Sequence, residues 1–281
     1  MEKNQTTRKK CTVSKEKIVD MYNLGNSTLE IASLANVSDR YIRTVLKEKN
    51  VIMRPNGSWK RKFHVNEAFF RTWSSSMAYI LGFFFADGCI IRNQQSISFA
   101  QKEKYILEII KESLDSNHPI IQNKETKVYI LNIHSKFMKN DLISIHGLAP
   151  NKSKDIKFPE VPETYLSHFI RGFFDGDGYV NYKSYFVSFV GGSFSFMDSL
   201  KLNLETVGFE TNFTEHENCF RVYISGRKSI SQFAEWLYKD SSIHLERKYK
   251  EFQKEKLHSN LLQNKIKTHK NALEKRRRDN I

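Results

Sequence analysis

The chain is poor in cysteine. Cys11, Cys89 and Cys219 stand far apart in 281 residues, without a Cys-x-x-Cys pair. That excludes a disulfide framework and the usual zinc sites. The nine histidines are scattered without ligand spacing. No long apolar run exists either. The longest, Met77 to Ala86, is half of what a membrane span needs, and no signal peptide opens the chain. The ends carry no protein-splicing signature, opening on Met1 and closing Asp279-Asn280-Ile281 with no terminal His-Asn. A soluble, intracellular protein is the expectation, in a bacterial or phage-infected cytoplasm or an organelle.

Acidic excess is also missing: Lys and Arg total 45 against 31 Asp and Glu. The imbalance sits at the ends. Residues 1–62 hold 14 basic and 6 acidic residues, residues 246–281 hold 12 and 5, and the middle is near neutral with 19 and 20. Positive ends around a neutral, aromatic-rich core point to nucleic acid.

One short stretch occurs twice. Ile80-Leu81-Gly82-Phe83-Phe84-Phe85-Ala86-Asp87-Gly88 and Ile170-Arg171-Gly172-Phe173-Phe174-Asp175-Gly176-Asp177-Gly178 share Gly-Phe-Phe-x-x-Asp-Gly. Each copy reads as a helix, with Ser74-Ser75-Ser76 able to cap the first and Thr164 placed before the second. A helical Gly costs about 1 kcal/mol relative to Ala, so it needs a reason. Gly82 with Ala86, and Gly172 with Gly176, put small residues on one face of each helix, where two backbones can approach closely. The closing Gly of each copy suits a left-handed cap. The Asp is out of place there. It faces the negative helix end, and two such carboxylates about 5 Å apart repel by roughly 3 kcal/mol at an effective dielectric of 20. A divalent cation between them removes both penalties. Exposed helix ends are the simpler reading for one such Asp; recurrence favours the metal.

These paired helices resemble the signature of the LAGLIDADG homing endonucleases, in the single-chain form with two motifs. The resemblance covers roughly Ser75 to Glu251. It implies metal binding by the last acid of each motif, Asp87 and Asp177, with Ala86 and Gly176 beside them. Motif 1 departs in having Phe85 where motif 2 has Asp175, at a position that is not the metal-binding one.

Residues 1–12 read as a flexible basic arm with Arg8-Lys9-Lys10, and 13–56 as a small all-α domain. Ser14, the Ser27–Glu30 capping box and Ser38 open three helical patterns. Exposed Arg40, Arg43 and Lys47 on the third suit a DNA-binding helix-turn-helix; a packing module with a solvated basic face is the alternative. Residues 57–74 read as a basic linker, whose Lys60-Arg61-Lys62 could follow phosphates or a minor groove, or simply be solvated.

Helix, two strands, helix, two strands, helix then occurs twice, over 75–158 and 159–252, with Ser98-Phe99 aligned on Ser188-Phe189. The expected fold class is therefore α+β, two pseudo-symmetric αββαββα repeats forming a DNA-binding saddle, plus the small helical domain. Arg92, Gln94, Tyr129, Asn132, Asn181, Lys183, Arg221 and Tyr223 are placed on the outer strand faces as candidate base readers, against an ordinary solvated face. Residues 253–281, ending Lys275-Arg276-Arg277-Arg278, read as a frayed tail making phosphate contacts.

The expected activity is metal-dependent double-strand cleavage of DNA, with short 3′ overhangs, at a long asymmetric target. Mg²⁺ is the expected cofactor, with Mn²⁺ able to replace it and Ca²⁺ binding without supporting cleavage. The resemblance places a catalytic pair at Gln101-Lys102, where the second half has Gly191-Gly192; Lys136 and Lys228, opening equivalent late helices, are further candidates. Asp240 with Glu246-Arg247-Lys248 lacks the strand context of an Asp…Glu-x-Lys nuclease core, and no His-Asn-His motif is visible. Double-stranded DNA is the expected partner of a monomer, with no membrane. Two non-cleaving alternatives are an RNA maturase assisting splicing and a DNA-binding transcriptional regulator. Intact acids argue against the regulator, and the helix-turn-helix pattern against a pure RNA binder.

Overall fold

The computed structural model describes residues 11–53, 63–149, 155–217 and 219–263, and the chain divides into two units, 1–64 and 65–281. The basic clusters at 8–10, at Lys60, Arg61 and Lys62, and at 275–278 lie outside the described residues.

In the first unit, α1 (Lys15–Asn23), α2 (Thr28–Leu34) and α3 (Asp39–Glu48) each start at a serine. Ser14, Ser27 and Ser38 accept hydrogen bonds from the main-chain N–H of Lys17, Glu30 and Tyr41, and the Glu30 carboxylate accepts one from the Ser27 N–H. Each such cap is worth about 1 kcal/mol. Ile18, Tyr22, Ile31, Ile42, Val45 and Leu46 form a separate core, which leaves Arg40, Arg43 and Lys47 exposed on α3.

In the second unit, α4 (Ser75–Asp87) packs on α7 (Glu163–Asp177). Ser74 caps α4 through the Met77 N–H. Every residue from Met77 to Phe85 is buried, so this helix is apolar all round and forms the centre of the core. α7 has no side-chain cap; it starts after Pro162, and Thr164 lies inside its first turn rather than ahead of it.

Each helix feeds a four-stranded antiparallel sheet. β1 (Gly88–Ile90), β2 (Ile97–Gln101), β3 (Ile120–Gln122) and β4 (Tyr129–Ile133) lie in the order β1-β2-β4-β3. β5 (Gly178–Asn181), β6 (Phe186–Gly191), β7 (Asn212–His216) and β8 (Cys219–Ser225) repeat it as β5-β6-β8-β7. Gly88 pairs with Phe99 and Gly178 with Phe189, so the duplication holds to the residue. α5 (Lys104–Ser113), α6 (Lys136–Ser144), α8 (Phe194–Thr206) and α9 (Arg227–Tyr238) complete the repeats, and α10 (Glu246–Phe252) follows. The α+β reading with two αββαββα repeats holds.

Several local expectations need correction. Gly88 and Gly178 are not left-handed caps; their φ values are −81°. They are glycines because a Cβ would stand 2.2 and 2.1 Å from the rings of Phe84 and Phe174. Arg92 and Gln94 lie in the β1–β2 turn, and Lys183 in a 3-10 turn between β5 and β6, not on strand faces. Tyr129 stands in register between Gln101 and Gln122, on the same side of the sheet as buried Leu131 and Ile133, and packs on the core. Asn132, Asn181, Arg221 and Tyr223 are on the open faces, as expected. Part of the expected linker is structural, because Phe70 is fully buried and Arg71 pairs with Asp141 at 2.8 Å. Residues 253–263 are likewise packed rather than frayed: Glu255 takes two hydrogen bonds from Arg227, and Ser259 and Leu262 are buried.

Two of the three buried histidines among the described residues give the second unit a pH response. Burial lowers the pKa of His146, whose Nε2 bonds the Phe70 carbonyl oxygen at 2.8 Å. Burial, and then the Arg171 charge, lower that of His168, whose Nδ1 accepts from Arg171 Nη2 at 2.8 Å. A depressed histidine contributes stability that is present above its unfolded pKa of about 6.5 and lost as pH falls through the folded value. The urea midpoint is therefore expected to fall between pH 7 and pH 5. His146→Phe with His168→Gln is expected to lessen that fall, and an unchanged pH slope would contradict the assignment.

Candidate active site

The site forms where α4 and α7 end. A Cβ at Gly82 would stand 2.0 Å from the Phe169 carbonyl oxygen, and one at Gly172 1.9 Å from that of Tyr79. The two backbones therefore touch through these glycines. At the next turn a Cβ on Gly176 would meet the Ala86 Cβ at 2.2 Å and Asp87 Cγ at 3.3 Å. Only glycine at 176 lets the ends of α4 and α7 converge, and convergence brings the Asp87 and Asp177 segments together. Asp87 is half-buried and Asp177 exposed.

Gln101, the last residue of β2, donates from Nε2 to Asp87 Oδ2 at 3.0 Å. Its own Oε1 accepts from the Lys102 N–H at 2.7 Å, which fixes which end of the amide faces the acid. Lys102 itself is exposed. At the equivalent place β6 ends on Gly191, where a Cβ would press on Met197 Sδ at 2.8 Å. The two centres are therefore unequal by construction. Lys136 and Lys228 do not join them. Gln101 pairs with Tyr129 at the start of β4, whereas Lys136 follows its far end; Lys228 follows the far end of β8, which pairs with Gly191 near its start. At about 3.3 Å per residue, each lies more than ~12 Å along the sheet from the acids.

A residue without a role in the motif pattern takes that place. Lys248, in α10, is 4% exposed, and its Nζ donates to the carbonyl oxygens of Phe174, Asp175 and Gly176 at 2.5, 2.8 and 3.3 Å. It caps the negative end of α7 directly beneath the acids. Burial lowers its pKa to about 8, opposed by the charges of Asp175, Asp87 and Asp177. Asp175, fully buried, accepts from Tyr79 Oη and the Leu245 N–H, both at 2.8 Å, and burial raises its pKa. Arg171, 1% exposed, donates to the carbonyl oxygens of Ile243 and Leu237 at 2.9 and 2.8 Å. Motif 2 thus holds the 237–248 segment in place by polar contacts. Motif 1 has Leu81 and Phe85 at the equivalent positions, and Phe85 packs on Phe169 and Phe196 instead.

The donor set suits a hard divalent ion. Among the described residues no three His, Cys, Asp or Glu side chains converge. A cation here would rest on two carboxylates, with Ala86 and Gly176 beside them, and keep several waters, as Mg²⁺ does. Among the described residues no helix is long and apolar enough to cross a membrane.

Residues 74–137 and 164–237 match the family model of the LAGLIDADG-like domain. Among curated proteins, the probable translation initiation factor IF-2 of Methanocaldococcus jannaschii is 27% identical over 135 residues, covering 45% of this chain and 11% of that protein. Its counterpart from Thermococcus kodakarensis is 31% identical over 90 residues, covering 31% and 8%. The chain thus spans about a tenth of the length of these relatives. Similar solved structures include full-length DUF199/WhiA from Thermatoga maritima, at TM-score 0.46 and 15% identity, covering 75% of this chain and 70% of that one. The homing endonuclease I-DmoI in complex with DNA and Ca has TM-score 0.46 and 15% identity, covering 68% and 100%.

Proposed function

Since the chain belongs to the LAGLIDADG-like domain family through residues 74–137 and 164–237, we propose that it is a homing endonuclease making a metal-dependent double-strand break in DNA. The observation that carries this reading is the convergence of the Asp87 and Asp177 segments at a contact only Gly176 permits. Two carboxylates at touching helix ends repel each other and are useful as cation ligands. A cation bound there would polarise the phosphate and lower the pKa of the attacking water. Asp87 and Asp177 would hold it, each serving one strand. Gln101 keeps the Asp87 carboxylate oriented and offers its amide to water. Lys248, while protonated, adds positive charge at the end of α7 beside the acids. The test is incubation with duplexes selected for binding from a random pool, in Mg²⁺ and in EDTA, followed by mapping of the ends. Binding without breaks would favour the regulator.

The inequality of the halves gives an expected time course. Gln101 has no counterpart at Gly191, and Lys102 none at Gly192. Oriented polar groups of this kind are often worth ~2.7–4 kcal/mol in the transition state. One strand is expected to be cut first, leaving a transient nicked intermediate. Gln101→Ala is expected to slow the faster cut most, with Lys102→Ala weaker because its side chain is exposed. Strand-resolved time courses on labelled DNA check this; equal rates in both the wild type and Gln101→Ala would place the water network elsewhere.

In the same reading, 13–56 is a helix-turn-helix presenting Arg40, Arg43 and Lys47 to DNA. The unit has its own core and holds neither acid. Deleting residues 1–56 is expected to weaken binding and shorten the footprint on one side while leaving cleavage intact at raised protein concentration. An unchanged footprint would assign the module to a partner other than DNA.

A further inference from the structure

Strand register sets rows of side chains across the open face of each sheet. In the first sheet Ala100 pairs with Ile130, and Ile130 with Ile121. At the equivalent places of the second sheet Val190 pairs with Arg221, and Arg221 with Thr214. These rows face outward, because the neighbours Phe99 and Leu131, like Phe189 and Val222, are fully buried on the helix side. Ile121 is 58% exposed. Single exposed apolar residues need no explanation, but here two isoleucines stand side by side where the duplicate carries an arginine and a threonine.

A major groove offers donors and acceptors on every base pair, and one apolar group, the C5-methyl of thymine. An isoleucine row satisfies no donor or acceptor and fits that methyl. We infer that the first sheet selects its half of the target by apolar contact of Ile121, Ile130 and Ala100 with thymine methyl groups, while the second reads hydrogen-bonding edges through Arg221. The inference rests on the DNA-binding part of the proposed function. The occupant is a duplex rather than another protein surface on two grounds. Ala100 immediately precedes Gln101, which bonds Asp87, so the row borders the candidate active site. The turns at the two ends of this sheet also expose Arg92, Lys124 and Lys127, as a phosphate-flanked groove requires.

The test uses the full chain in Ca²⁺. Random duplexes are selected for binding, and each thymine of the selected site is then replaced singly by uracil, which removes only the methyl. In one half, replacing a contacted thymine is expected to weaken binding about fourfold, the equivalent of one buried methyl group. In the other half uracil is expected to change nothing. Ile130→Arg is expected to abolish the uracil effect at its position and move the preferred base to guanine, the usual arginine partner. Ile130→Val, which keeps the apolar surface, is expected to retain the effect and so controls for folding. Uracil neutrality throughout, or an effect unchanged in Ile130→Arg, would overturn the inference while leaving DNA binding standing. A dimer that Ile130→Arg dissolves, with uracil-insensitive binding, would assign the face to a second copy and also overturn it. Failure to retain any duplex would overturn the DNA reading itself, and this inference with it.

Discussion

Asp87→Asn and Asp177→Asn are each expected to abolish double-strand cleavage while leaving DNA affinity within a few-fold of wild type. The exchange removes one negative charge and keeps the side-chain shape. It leaves the helix contact through Gly82, Gly172 and Gly176 untouched. Loss of a ligand that positions charge at the phosphate is expected to slow the reaction on the order of a thousandfold or more. The two variants are expected to differ in what survives. Asp87 holds the hydrogen bond from Gln101, so its replacement disturbs the better-built centre. Asp177 lies at the centre whose matching strand ends on Gly191. Gel assays of binding and cutting on one substrate check both. Full cleavage by either variant would remove the paired acids from the mechanism.

The second large effect concerns stability. Gly172→Ala places a methyl group 1.9 Å from the Tyr79 carbonyl oxygen and 2.7 Å from the Phe83 nitrogen, both main-chain atoms of a buried helix. Neither can move aside as a flexible side chain would. The helices must separate, which loosens the centre of the core around Tyr79, Phe83 and Phe173. Overpacking commonly costs about 1–3 kcal/mol, and a backbone clash at the main helix contact is expected at or above the upper end. The gain in helix propensity of about 1 kcal/mol does not offset it. Gly208→Ala serves as the comparison: it has nothing within 4 Å of its Cβ position but a φ of +98°, so its loss comes from backbone strain alone. Urea unfolding of both variants checks this. A Gly172→Ala protein as stable as wild type would mean the helices do not touch through their backbones.

The features legible in the sequence were those that repeat or are local. A Gly-Phe-Phe-x-x-Asp-Gly stretch separated from its copy by 90 positions marked both the helix contact and the acids. Ser14, Ser27 and Ser38 marked three helix starts because a cap needs only neighbours in the chain. The side on which Tyr129 points was not legible. It depends on where the β3–β4 turn releases the strand, and that turn is set by Asn123 Oδ1 accepting from Glu125 and Thr126 and by Lys127 at φ +59°. A shift of one residue there moves every side chain to the other face.

In the sequence Lys248 stands out only as the lysine of an Asp240…Glu246-Arg247-Lys248 pattern without the strand context of a nuclease core. Its role is defined by main-chain carbonyls 72 to 74 positions earlier, which it reaches because Asp175 holds Leu245 and Arg247 pairs with Glu103 at 2.8 Å. Burial of a lysine is a tertiary fact with no local signature. Lys136 and Lys228 looked equivalent for the opposite reason. Duplication makes any pair of matching lysines look meaningful, and only the strand register shows that they open from the far ends of β4 and β8.

The central claim is that Asp87 and Asp177 support metal-dependent cutting, with one centre for each strand. Its most direct measurement is sequencing of DNA ends after incubation of the full chain with duplexes selected for binding from a random pool, in parallel with Mg²⁺, Ca²⁺ and EDTA. The expected result is a single pair of nicks with short 3′ overhangs in Mg²⁺, and intact bound DNA in Ca²⁺. A footprint on that DNA with no breaks in Mg²⁺ or Mn²⁺ would contradict it.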